Sequence, residues 1–210
     1  MLQQGKSIAL VSDAGTPLIS DPGFDLVREA RAAGIPVIAV PGPCAAVAAL
    51  SICGLPTDSF VFVGFLPPKS AARRKRLQAL AGGPRTLIFY EAAHRIVESI
   101  ADFVAVLGPV RRVFLAREIS KRFEQSFLGA ADELLRWIGE DENRQRGEFV
   151  LIAQGVGAGA PDSAEGQRVL ELLLCELPAA RAVKLAAEIT GLPRNTLYDL
   201  ALELAKHKQQ

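Results

Sequence analysis

The stretch Ser7–Gly23, SIALVSDAGTPLISDPG, decides how the rest of the chain is read. Its opening, Ser7–Ser12, is a short apolar run without alternating polarity, the pattern of a strand covered on both faces. Ser12–Gly23 follows as a loop of small and turn-forming residues, and Phe24–Ala33 then carries helical periodicity. A strand, a loop at its carboxyl end and a helix form the unit of an α/β sheet, where ligands sit beyond the carboxyl ends of strands. Small residues let a ligand approach the backbone, and Asp13 and Thr16 offer polar atoms. The same loop also reads as a series of Asp and Pro turns, since it matches neither G-x-G-x-x-G nor a P-loop.

Outward from this stretch the pattern repeats. Val37–Val40 reads as a strand, and Pro41-Gly42-Pro43-Cys44 leads into a small-residue helix over Ala45–Ile52. A helix start of this kind can receive the polar edge of a ligand or be a plain tight turn. Further strands are expected at Phe60–Gly64, Thr86–Tyr90, Val113–Ala116, Phe123–Leu128 and Phe149–Ala153. Helices are expected at Ala71–Leu80, Ile96–Leu107 and Ala130–Ile138. The implied fold is α/β, with a mostly parallel sheet covered on both faces. Gly155–Gly166 is a linker by composition, and Gln167–Glu176, Ala179–Thr190 and Asn195–Lys206 read as three helices. In that helical tail Ala187, Gly191 and Leu197 fit a helix-turn-helix, or a simple packing hairpin.

The expected division is 1–55, 56–155, a linker at 156–166 and a helical tail at 167–210. Two strands alone in the first part would leave both sheet edges open, so either the sheet of the other unit completes 1–55 or preceding strands of a larger lobe are missing.

The 210 residues are half apolar and carry a net charge of +1, so no global field calls for nucleic acid. Cys44, Cys53 and Cys175 have no metal-binding spacing, which points to a reduced, cytoplasmic chain without a metal. No apolar run is long enough to cross a membrane. Local charge is more informative. Lys69–Arg76, KSAARRKR, carries Lys69, Arg73, Arg74, Lys75 and Arg76, either a solvated helix face or a phosphate contact. Tyr90, Glu91, His94 and Arg95 stand at one strand's carboxyl end, and Glu118, Lys121 and Arg122 follow another. The second group is either a site or a solvated ion-pair network.

Six segments occur in order: SDAGTPLISDPG, PGPCAAVAALSICGLP, FVFVGFLPPKSAARRKRL, FYEAAHRI, REISKRFEQ and GEFVLI. Together they resemble the ribosomal RNA small subunit methyltransferase I family, a branch of the tetrapyrrole (corrin/porphyrin) methylases. The resemblance extends from about Gly5 to about Lys206. It implies two α/β lobes with S-adenosylmethionine (SAM) between them, a homodimer, and a helix-turn-helix-like tail. It also implies SAM-dependent 2′-O-methylation of a cytidine ribose in 16S rRNA of the small ribosomal subunit. By the same likeness, Ser12, Asp13, Ala14, Gly15 and Thr16 form a cofactor loop, Cys44, Ala45 and Tyr90 line the cleft, and Glu148 approaches the adenine.

A ribose hydroxyl must lose its proton around methyl transfer, and Glu91, Glu118 and Lys121 are the candidates to take it. Lys69, Arg73, Arg74, Lys75, Arg76, Arg95, the pair Lys121-Arg122 and Arg194 are the expected phosphate contacts. Family members begin with a strand and a GTPIGNL-type loop and continue to an EDTR-type motif, none of which occurs here. The expectation is therefore an incomplete first lobe that holds SAM weakly or not at all. Two other classes stay open: a non-catalytic RNA-binding fragment, and a methylase acting on a tetrapyrrole.

Overall fold

The last strand-forming run of the α/β part, Glu148–Ala153, lies in the middle of the sheet. The computed structural model describes residues 1–156 and 163–207, without the side chains of 163–165, 203 and 205–207. It contains two compact units, Met1–Gly155 and Val156–Gln210. Most of the expected linker, residues 157–162, lies outside the described residues.

In the first unit, chain order is α1 (Phe24–Ala32), α2 (Ala45–Ile52), β1 (Phe60–Phe65), α3 (Ser70–Ala81), β2 (Thr86–Ala92) and α4 (Ile96–Leu107). β3 (Arg112–Arg117), β4 (Gln125–Ala130), α5 (Ala131–Gly139) and β5 (Glu148–Ala153) follow. The strand order is β1-β2-β5-β3-β4. Only β1 and β2 pair in parallel; β5 runs antiparallel to both β2 and β3, and β3 antiparallel to β4. The expected mostly parallel sheet is thus corrected to a mixed one. Continuous apolar runs report that both faces are covered, and they carry no record of direction.

Side chains alternate across a strand, and two cores result. Leu87, Phe89, Leu115, Phe149 and Leu151 face one core with α3, α4 and α5, into which Leu77, Ile100, Phe103 and Leu134 pack. Ile88, Phe114, Val150 and Ile152 face the other with α2, whose Ala46, Ala49 and Leu50 lie against them. The small residues of α2 bring its backbone close to the sheet.

The register aligns one end of this sheet. Phe65 pairs with Tyr90, Ala92 with Glu148, and Arg117 with both Phe149 and Gln125. The carboxyl ends of β1, β2 and β3 therefore meet the amino ends of β4 and β5 at a single edge.

Ser7–Ser12 and Val37–Val40, read above as buried strands, are not strands, and neither belongs to the five-stranded sheet. Apolar β-branched residues favour an extended chain, but a strand exists only as half of a hydrogen-bonded ladder. Ile38 and Val40 are instead 85% and 86% exposed.

The second unit holds α6 (Ser163–Glu176), α7 (Ala179–Thr190) and α8 (Arg194–His207). Gly191 closes α7 at φ 71°, and its N–H donates to the Ala187 carbonyl. Leu197 is fully buried against Leu170, Ala182 and Ala186. The three residues read as a helix-turn-helix signature thus take those parts: Ala187 beside the core, Gly191 in the turn, Leu197 in the core.

Candidate active site

Alternation sorts the residues at the aligned sheet end. Tyr90, Glu118 and Glu148 belong to the α2 face, whereas Glu91 and Arg117 point to the α3–α5 face.

On the α2 face, the Tyr90 hydroxyl accepts the Ala46 N–H at 3.1 Å, and the Cys44 sulfur lies 4.0 Å from it. Phe62 and Phe65 meet the Tyr90 ring edge-on. Burial pushes the Tyr90 phenol above its ordinary pKa, so it remains neutral. The loop Ser12–Thr16 adjoins the same place, because the Thr16 hydroxyl donates to the Pro43 carbonyl at 2.8 Å. Within that loop the Ser12 hydroxyl donates to the Ala14 carbonyl, and Gly15 takes φ 76°. The loop's far end reaches β1 at a bulge. Gly64 has φ 73°, and a Cβ there would lie 3.2 Å from the Ser20 hydroxyl. Ser12, Asp13, Ala14, Gly15, Thr16, Cys44, Ala45 and Tyr90 therefore converge, although the loop does not follow a strand as expected.

A few residues along the sheet edge, Lys121 donates to Glu118 at 2.9 Å and to Glu148 at 2.8 Å. Glu118 Oε1 also accepts the Glu148 N–H at 2.8 Å. The Lys121 ammonium holds Glu118 below its ordinary pKa, helped by the Glu148 N–H. Reciprocally, hydrogen bonds first to Glu148 and then to Glu118 hold Lys121 above its own. Lys121 is thus a firmly protonated cation, and a protonated ammonium cannot serve as a base. Gly147, at φ 99°, allows the close approach, since a Cβ there would strike the Glu118 side chain.

Glu91, a candidate base above, is corrected by its surroundings. It is buried; Oε1 accepts from the Ala92 N–H and the Arg95 guanidinium, and Oε2 accepts from Ser99 at 2.6 Å. A carboxylate so satisfied, on the face away from Tyr90, anchors the start of α4. Arg95, committed to Glu91 and largely buried, is likewise removed from the phosphate-facing set.

Arg73 is corrected in the same way. It is 0% exposed and pairs with buried Asp102 at 2.6 Å. Arg74 and Ser70 also bind Asp102. Burial alone would raise the Asp102 pKa; hydrogen bonds from Arg74, Arg73 and Ser70 outweigh it and hold the group below its ordinary value. Lys69, Arg74, Lys75 and Arg76 are exposed, as is Arg194 in the second unit.

Sequence reasoning missed Ser99, Asp102 and Arg117. The first two stand among apolar α4 residues at core positions, and polar groups there signal buried partners. Arg117 is at a Val113–Leu115–Arg117 alternation, where it donates to the carbonyls of Arg146 and Phe123. Among the described residues, no cluster of three or more His, Cys, Asp or Glu side chains suits a metal, and no helix is long and apolar enough to cross a membrane.

Residues 1–135 match the family model Tetrapyrrole (Corrin/Porphyrin) Methylases, and residues 160–205 match RsmI C-terminal HTH domain. The Ribosomal RNA small subunit methyltransferase I of Escherichia coli O157:H7 is 56% identical over 203 residues, covering 96% of this chain and 71% of that protein. Its namesake in Pseudomonas aeruginosa is 57% identical over 205 residues, covering 96% and 73%. The solved structure of the methyltransferase CobJ shares the fold at 18% identity and a TM-score of 0.50, over 68% of this chain and 62% of its own.

Proposed function

This chain belongs to the ribosomal RNA small subunit methyltransferase I family of the tetrapyrrole methylases, and from that premise we propose that it serves SAM-dependent 2′-O-methylation of a cytidine ribose in 16S rRNA. The observation carrying this reading is the 56% identity to a named relative over 203 residues, which include both the sheet edge and the helical tail. A tetrapyrrole substrate is disfavoured by the tail, whose family model is that of the rRNA enzymes. The reading includes a homodimer acting in the cytoplasm, where the small ribosomal subunit is found.

The chemistry at the α2 face suits SAM. Ala14, Gly15 and Gly42 expose backbone to a flat or polar ligand edge, and Asp13 presents an exposed carboxylate to a hydroxyl or ammonium. In the proposal Ser12–Thr16, Cys44, Ala45 and Tyr90 hold the cofactor, with Glu148 at the rim. Bound SAM supplies a methyl group on a sulfonium, already a good leaving group, so alignment of the accepting oxygen is the protein's main task. Tyr90 fixes the start of α2 by accepting the Ala46 N–H. Glu118 uses Oε1 for Lys121 and the Glu148 N–H, and Oε2 orients the ribose hydroxyl as an acceptor. Because Glu118 is a weakened base, its part is orientation more than full deprotonation. Arg74, Lys75 and Arg76, with Lys69 and Arg194, attract phosphates.

The test is methyl transfer from labelled SAM to small-subunit particles that lack the modification, with a tetrapyrrole acceptor in parallel and calorimetric titration of SAM. Label at one cytidine ribose of 16S rRNA supports the proposal. Label only on the tetrapyrrole replaces the substrate class. SAM binding with no acceptor methylated overturns the substrate assignment, and no SAM binding leaves the RNA-binding fragment as the reading.

A further inference from the structure

The loop between β3 and β4 leaves an aromatic ring in solvent. Phe123 is 63% exposed, and the Arg122 guanidinium carbon lies 5.6 Å from its ring centroid. An exposed Phe is usually a mobile side chain on a mobile loop, but this loop's backbone is tied at several points. The Lys121 N–H donates to Glu118 O at 2.9 Å, and the Glu124 N–H donates to Lys121 O at 3.1 Å. The Ser120 N–H donates to the Glu124 carboxylate, and the mostly buried Arg117 donates to Phe123 O at 2.9 Å. Glu118 and Ser120 take φ of 50° and 62°, a left-handed backbone that non-glycine residues adopt only when the surroundings hold them there. The ring is therefore presented in a fixed place, one residue pair beyond the Glu118–Lys121–Glu148 cluster.

We propose that Phe123 and Arg122 form a stacking platform for one unpaired RNA base, next to the ribose to be methylated. The inference rests on the reading of RNA as substrate. Two features select a base. Protein recognition of single-stranded RNA relies on aromatic rings and guanidinium planes on which splayed bases stack, and both occur here side by side. A protein partner needs an interface of about 1,000 Å² or more, for which one ring flanked by charge is a poor centre. The pairing also divides the labour: Phe123 offers the ring face, and Arg122 adds cation–π attraction and a positive charge toward the backbone.

The test titrates this chain with a single-stranded RNA oligonucleotide containing 2-aminopurine, whose fluorescence falls on stacking. Phe123→Ala, Phe123→Leu, Phe123→Trp and Arg122→Ala are compared after thermal melting confirms the fold. Because stacking on one aromatic ring contributes roughly ten- to hundredfold in affinity, Phe123→Ala and Phe123→Leu should each weaken binding by that order and abolish the quench. Phe123→Trp should keep both. Arg122→Ala should weaken binding and flatten its salt dependence. Wild-type affinity and quench in Phe123→Ala would overturn the platform while leaving RNA as substrate. Absence of RNA binding by the wild type would overturn both. Sedimentation gives the remaining outcome: if Phe123→Ala dissociates a dimer and leaves RNA affinity unchanged, the ring is a contact between copies and the platform is refuted.

Discussion

Lys121 is the cation shared by two carboxylates, and its position sets the charge state of the sheet edge. The depressed Glu118 contributes order above the ordinary carboxylate range and loses it as pH falls through its lowered pKa. The raised Lys121 contributes below the ordinary lysine value and loses it as pH rises through its own elevated pKa. The ion network is thus intact across the neutral range and fails at both extremes. Carboxyl-carbon NMR should show Glu118 titrating below the ordinary value of 4.5, and Lys121→Ala should return it upward. A wild-type Glu118 with an ordinary midpoint would remove the cluster from any orienting role. The partners of this cluster were partly legible: Glu118, Lys121 and Glu148 each stood near a strand end in the sequence. Strand-end position makes Glu91 a candidate, whereas alternation turns it away from the α2 face. Tyr90 and Glu91 are adjacent, so they face opposite cores, and only one of them can belong to the α2 face.

Helices α3 and α4 are joined by a buried ionic contact, with Asp102 receiving Ser70, Arg73 and Arg74 of the neighbouring helix. One Arg73 nitrogen, Nη2, has no hydrogen bond and has Glu98 at 3.7 Å, so the guanidinium depends chiefly on Asp102. Removing one member of a buried pair leaves an uncompensated charge and costs about 3–5 kcal/mol. Asp102→Ala should lose stability of that order in urea unfolding, whereas Arg73→Met combined with Asp102→Leu should recover much of it. A loss below about 1 kcal/mol would show that solvent reaches Arg73 after the substitution. At this scale the helices were the most legible part, because periodicity is local: α2 and α4 coincide with the spans expected, α1 is one residue shorter at its end, and α3 is one residue longer at each end. The charge run KSAARRKR could not reveal which residue is buried, since that depends on where α4 places Asp102. Strands were less legible for the same reason. Ser7–Ser12 and Val37–Val40 have strand composition, but the ladder that would make them strands is a property of neighbours.

At the scale of the whole first unit, apolar surface lies open to water on α1 and on the segments flanking it. Val11 is 81% exposed, and Ile38 and Val40 are 85% and 86% exposed. Ile8, Ile19, Phe24 and Leu26 are exposed as well. Each buried apolar Å² is worth roughly 25 cal/mol, so several such side chains together favour association. The open sheet edges expected for 1–55 already pointed to uncovered apolar surface at Ser7–Ser12 and Val37–Val40, although hydrophobicity alone gave both runs as strands. The chain should therefore bind a hydrophobic dye and show association that rises with concentration in light scattering. The double substitution Ile38→Lys and Val40→Lys should reduce both signals. It should shift the thermal midpoint by no more than roughly 1–2 °C, because substitutions at exposed positions stay within about 0.5 kcal/mol. The direction of that last result separates two origins of association. If the double variant melts much earlier, Ile38 and Val40 contribute to the folded core and their exposure is not the cause. If it melts unchanged but scatters as before, the adhesive surface lies elsewhere on the unit, with Val11 and Phe24 the next residues to replace.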